Sequence, residues 1–202
     1  MSVQTDGMKT SGFEQMKTEY LARLGRPDRS KANLPDPQIN PLLDAFNEHK
    51  DYYTTSSCAG RITLLELSPD KKKHEARWLY VTHAMAEADV AERALRGRTK
   101  RHGYEVWFKM ESPILHVCAR TLDAAQRLLV HCQQVGLKHA GITGTRRVMI
   151  EIFDNVRIDA LMSMHGERLV GKRYLELSVD LANQKLSLVR SRMDELKKKI
   201  KK

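Results

Sequence analysis

An α+β fold, with a mixed and mostly antiparallel sheet and helices outside it, is what the sequence predicts. Three observations predict it: short apolar runs come in neighbouring pairs, helical periodicities separate the pairs, and no Gly-rich turn of the doubly wound parallel folds follows any run. The pairs form two weakly similar halves, so a sheet shared by both could curl toward a barrel, and a Rossmann arrangement is not expected.

From Gly12 to Leu24 the residues Phe13, Met16, Tyr20 and Leu24 recur at helical spacing, and Gly25-Arg26-Pro27-Asp28 breaks the pattern. The Pro- and Asn-rich stretch up to Pro37 reads as a surface linker. The chain is thus divided into an N-terminal helix and linker over 1–35 and a single α+β domain over 36–202. A helix is expected over residues 41–48, with Leu42, Leu43 and Phe46 turned inward. Residues 62–67 and 78–83 read as an antiparallel hairpin across a lysine-rich loop. Residues 86–95 favour a helix stopped by Gly97, and strands follow near 104–110 and 114–120. Thr121 caps the next helix, in which Leu122, Ala125, Leu129 and Cys132 share a face before Gly136 closes it. Val148, Ile150 and Ile152 then alternate with Arg147, Met149 and Glu151. Val156, Ile158 and Ala160 repeat the pattern beyond Asp154-Asn155, which predicts a further hairpin. In the closing helix Leu175, Val179, Ala182, Leu186, Val189, Met193, Leu196 and Ile200 step by three and four, a seam expected to lie on the sheet or on other helices.

Composition narrows the partners. With 35 Lys+Arg against 25 Asp+Glu the formal charge is +10, which favours a polyanion such as nucleic acid. Cys58, Cys118 and Cys132 are odd in number and far apart, so neither a disulfide framework nor a zinc ribbon is expected, and no metal is assigned. Without a membrane-length apolar run or a secretion signal, the chain reads as cytoplasmic, with a monomer favoured.

Chemistry concentrates in Tyr52-Tyr53-Thr54-Thr55-Ser56-Ser57-Cys58-Ala59-Gly60-Arg61-Ile62. Its hydroxyls are short donors, Gly60 permits close approach to the backbone, and Arg61 offers a planar fork for carboxylate or phosphate. A second group, Lys109, Glu111 and His116, flanks the break at Pro113. It reads either as a proton-handling set or as an ion pair beside a core histidine. His83 and His139 stand where strands meet loops, and Gly141-Ile142-Thr143-Gly144 precedes Arg146 and Arg147 as a turn that phosphate could approach. Cys58 beside Arg61 is a candidate nucleophile.

These blocks, taken in order, resemble the tRNA wybutosine-synthesizing protein 3 family. The resemblance rests on the hydroxyl-cysteine run, on residues 78–83 and on Phe108-Lys109-Met110-Glu111-Ser112-Pro113-Ile114-Leu115-His116-Val117. Gly136-Leu137-Lys138-His139-Ala140-Gly141-Ile142 and Leu181-Ala182-Asn183-Gln184-Lys185 extend it, so that it spans residues 39–193. Two positions depart from it, Ala140 where serine is expected and Ala160 where proline is expected.

The resemblance implies an archaeal S-adenosylmethionine-dependent methyltransferase acting on N(4) of 7-(3-amino-3-carboxypropyl)-4-demethylwyosine at position 37, in the anticodon loop of tRNA(Phe). In that frame His116 or Glu111 accepts the proton, and Ser56, Ser57, Cys58, Gly60 and Arg61 hold the cofactor. Trp78, His83, Lys109, His139, Gly141 and Arg146 meet the substrate, while Lys71, Lys72, Lys73, Arg96, Arg98, Lys100 and Arg101 bind phosphates. The competing readings are a non-catalytic tRNA-binding module, which needs only the basic surface, and a thiol enzyme centred on Cys58.

Overall fold

In a computed structural model of the protein the described residues are 10–24, 38–70, 75–96, 102–144 and 147–201. The expected linker, the Gly97 stop, and Lys71, Lys72, Lys73, Arg98, Lys100, Arg101 and Arg146 lie outside them. The elements run α1 (Thr10–Leu24), α2 (Asn40–Glu48), β1 (Tyr52–Cys58), β2 (Arg61–Leu67), β3 (Arg77–Thr82), α3 (Ala88–Arg96) and β4 (Glu105–Glu111). Then come β5 (Ile114–Ala119), α4 (Leu122–Gln134), β6 (Gly141–Gly144), β7 (Val148–Phe153), β8 (Ile158–Met164), β9 (Glu167–Arg168) and α5 (Lys172–Ile200).

The strands form two antiparallel sheets, one ordered β1-β5-β7-β6 and one ordered β3-β2-β4-β8-β9. Each keeps two edge strands, so neither closes into a barrel. The α+β architecture expected from the sequence is the one observed. The chain divides into two compact units, Met1–Ala59 with Pro113–Asp154 and Arg190–Lys202, and Gly60–Ser112 with Asn155–Val189. It passes from one unit to the other after Ala59, Ser112, Asp154 and Val189. Gly60, at φ 77°, supplies at the first of these a left-handed turn that a side-chain-bearing residue rarely adopts.

The hairpin expected over residues 148–160 does not form. β7 pairs with β5 and β6, whereas β8 pairs with β4 and β9. Alternation fixes which face a strand buries and leaves its partner open. At the break, the buried Asp154 carboxylate is taken by Arg192. The β2–β3 hairpin does form, with Ile62 opposite Thr82.

In the first unit, Leu115, Val117, Ile150 and Ile152 are fully buried and share one face of the four-stranded sheet, with α2 and α4 adding Leu42, Phe46, Leu128 and Cys132 to the interior. On the other face Cys118 and Met149 pack with Phe13, Met16 and Tyr20 of α1 around Tyr53. Thr121 caps α4 by accepting from the Ala124 amide at 3.1 Å, as expected. The buried face of that helix is Ala124, Ala125, Leu128 and Cys132, however, and Leu122 is half exposed because its first-turn position points away from the sheet. Gly136, at φ 88°, ends α4. Its amide donates to the Gln133 carbonyl and the Leu137 amide to the Cys132 carbonyl, the paired bonds of a Schellman stop.

In the second unit Ile62, Leu64, Val106, Phe108, Met110 and Met162 cover one face of the five-stranded sheet and pack against Ala91 and Leu95 of α3. Leu175, Val179, Ala182 and Leu186 of α5 complete that core. All eight positions of the expected α5 seam are buried. Asn183 fixes the helix by a two-way clamp on the Ala86 backbone, donating to its carbonyl at 3.0 Å and accepting from its amide at 2.8 Å.

Candidate active site

Much of the hydroxyl run serves the fold. Tyr52 donates to the Ala124 carbonyl at 2.8 Å, and Thr54 exchanges hydrogen bonds with Asn47 through its amide and its hydroxyl. Past a register shift between Thr54 and Ser56, the strand brings Ser56 to the surface.

There the register builds a row across all four strands. Ser56 is opposite His116, His116 opposite Glu151, and Glu151 opposite Gly141. The Ser56 hydroxyl lies 2.8 Å from His116 Nδ1, and His116 Nε2 lies 3.1 Å from Glu151 Oε1. A carboxylate only accepts, so a neutral imidazole donates its Nε2–H to Glu151 and keeps Nδ1 as the acceptor for Ser56. Such an order, hydroxyl to imidazole to carboxylate, can take a proton at the hydroxyl end and stabilise the imidazolium that results. Side-chain exposure of 33% at His116 and 30% at Glu151 leaves the row open to a reactant. A Cβ on Gly141 would meet no atom within 4 Å, so the far end of the row is uncrowded.

Cys58, two residues beyond Ser56 on the same strand, is half-buried with a free thiol. His139 lies with its ring centroid 5.6 Å from that of Phe153, at the next same-face position after Glu151. Ser57 is aligned with the buried Leu115, so alternation turns it to the face opposite Ser56.

The remaining expected residues gather in the second unit. Arg61 is opposite Glu111 across β2 and β4 and forms an ion pair with it, while its guanidinium carbon stands 4.7 Å from the centroid of the Trp78 ring. Trp78 is 46% exposed and therefore is no core residue. Lys109 pairs with Asp159, its register partner on β8, and not with Glu111. His83 Nδ1 donates to the Gly60 carbonyl at 2.8 Å, which steadies the left-handed turn. Arg96 is committed to Glu92, with Nε 2.7 Å from Oε1.

The expected residues thus form two clusters, Ser56 with His116 and Gly141 in one unit, and Arg61 with Glu111 and Trp78 in the other. Glu151 was missed from sequence. Its only signal was alternation that put it on the polar side of β7, and the histidine it serves lies 35 residues away. No group of three or more His, Cys, Asp or Glu side chains suited to a metal ion occurs among the described residues.

Comparisons with known proteins agree along the chain. A family model described as Methyltransferase TYW3 matches residues 15–202. A protein of Methanocaldococcus jannaschii, named tRNA(Phe) 7-((3-amino-3-carboxypropyl)-4-demethylwyosine(37)-N(4))-methyltransferase, is 36% identical over 197 residues, covering 93% of this chain and 100% of its own length. A Pyrococcus horikoshii protein named as form 1 of the same methyltransferase is 35% identical over 193 residues, or 95% of this chain and 96% of its own. A solved structure of a Pyrococcus horikoshii protein superposes with a TM-score of 0.83 at 32% identity, covering 95% of this chain and 97% of that one. The chain belongs to the methyltransferase TYW3 family.

Proposed function

We propose that the protein transfers a methyl group from S-adenosylmethionine to N(4) of the 7-(3-amino-3-carboxypropyl)-4-demethylwyosine at position 37 of tRNA(Phe). The observation that carries the substrate is the end-to-end match to relatives named for this reaction. The site reading is supported by the hydrogen-bonded row of Ser56, His116 and Glu151.

The donor set fits the cofactor and the substrate arm alike, because each ends in an α-amino acid, a carboxylate beside an ammonium. Arg61 and Glu111 form a fork and a carboxylate side by side on the outer face of the five-stranded sheet, and they suit that zwitterion. Trp78, already stacked on one cation, offers a ring for a purine or a sulfonium. When bound, S-adenosylmethionine supplies an electrophilic methyl whose sulfur leaves as a neutral thioether. Methylation of N(4) would leave that nitrogen with a proton to lose. Ser56 Oγ accepts it while passing its own proton to His116 Nδ1, and Glu151 holds the imidazolium in place. Glu111 is already held by Arg61, so the base proposed is His116.

The test is to incubate the protein with S-adenosylmethionine and tRNA(Phe) carrying the demethylated precursor. One added methyl group on that nucleoside by mass spectrometry supports the reading, and unmodified precursor contradicts it.

A further inference from the structure

Away from the Ser56 row, the first unit holds a cleft of about 300 Å³ lined by His49, Lys50, Asp51, Tyr52, Arg127, His131 and residues near the end of α5. Three permanent cations, Lys50, Arg127 and Lys199, stand on its wall against the single carboxylate of Asp51. Asp51 is itself shared, 3.1 Å from Arg127 and 3.4 Å from Arg120.

The wall is fixed before any ligand arrives. Lys17 donates to the His49 carbonyl at 2.6 Å, Arg120 to the Lys50 carbonyl at 2.6 Å, and the Asp51 amide to His49 Nδ1 at 3.1 Å. Lys199 is steadied by Gln134 at 2.8 Å. Burial holds the His49 pKa below its ordinary value; Asp51 opposes the shift, and Lys17, Lys50 and Arg127 add to it. The same crowding of positive charge favours an incoming anion.

We infer that this cleft is a docking point for the phosphodiester backbone of the tRNA, with Lys50, Arg127 and Lys199 as its phosphate contacts. All three are long cations, which recognise phosphate and read no base, so the contact sets position and affinity and leaves sequence to the reactive site. Lys50 and Arg127 are exposed, so a backbone can reach them. The chain's +10 charge agrees with such a partner. The inference rests on the tRNA substrate proposed above.

It is tested by tRNA(Phe) binding without cofactor, followed by fluorescence anisotropy across a salt series, for Lys50→Ala with Lys199→Ala, for Arg127→Ala, and for Lys198→Ala as a control on the same helix end. The cleft variants are expected to bind about tenfold more weakly and to lower the slope of log affinity against log salt by about one per phosphate lost. Lys198→Ala should match the unaltered chain, and all variants should melt as it does. Unchanged affinity and slope in the cleft variants overturn the inference, as does an equal loss in Lys198→Ala. So does inorganic phosphate raising the melting temperature through these residues while tRNA binding stays the same, since that describes a small-anion site. Tight cleft-dependent tRNA binding without methyl transfer would sink only the proposed reaction. Methyl transfer with full-strength binding by the variants would sink only the cleft.

Discussion

Arg61 and Glu111 are register partners on neighbouring strands and are joined by an ion pair on the solvent-facing side of their sheet. The pair is partly exposed, so its contribution to stability is small, on the order of 0 to 1 kcal/mol. A pairing so weak for the fold can be exchanged for a ligand at little cost, as the proposed binding of an α-amino-acid group beside Trp78 requires.

Replacing Arg61 with Ala is therefore expected to lower kcat/KM for methyl transfer about ten- to hundredfold, with salt-sensitive tRNA binding and melting temperature nearly unchanged. Arg61→Lys should recover little, because an ammonium lacks the planar fork. Steady-state kinetics with calorimetric cofactor titration check this. Unchanged turnover would remove Arg61 from the site.

The three thiols differ in access. Cys118 and Cys132 are fully buried, and burial pushes both thiols up, Cys132 to about 12, whereas Cys58 is half-buried. Alkylation of the native protein should label Cys58 alone, read by peptide mass spectrometry. Cys58→Ser should keep most methyl-transfer activity, since the Ser56 row contains no sulfur. Abolished activity in that variant would favour the thiol-enzyme reading instead.

Glu92 is buried, and both its oxygens are held by Arg168 at 2.8 Å, with Arg96 at 2.7 Å from Oε1. Hydrogen bonding from Arg168 leads the effects that hold its carboxyl at about 2, against an ordinary value of 4.5. A depressed carboxyl stabilises the fold fully above about pH 4.5, and that stability is lost as the pH falls toward 2. Glu92→Gln should thus cost on the order of 3 kcal/mol near neutral pH and flatten the stability profile over this window. Denaturant unfolding at several pH values measures both.

The sequence was most legible where periodicity was long. The α5 seam and the Thr121 cap stand where spacing and residue type put them, because local geometry alone decides them. Pairing was less legible. The alternation at Val148 and Ile158 resembled a hairpin although each strand found its partner elsewhere, and nothing in a strand's own residues names that partner. The site was readable in its parts, since Ser56, His116, Arg61 and Glu111 are conspicuous residue types. Their grouping was not. His116 follows Glu111 by five residues in sequence, yet it faces Ser56 and Glu151, while Glu111 faces Arg61. Only register carries that information.

The relay of Ser56, His116 and Glu151 is the centre of the account, and single-turnover methyl transfer by His116→Ala tests it most directly, with cofactor and tRNA affinities measured alongside. Loss of the base is expected to slow the chemical step by about a hundredfold or more while both affinities hold. A single-turnover rate equal to that of the unaltered chain would contradict it.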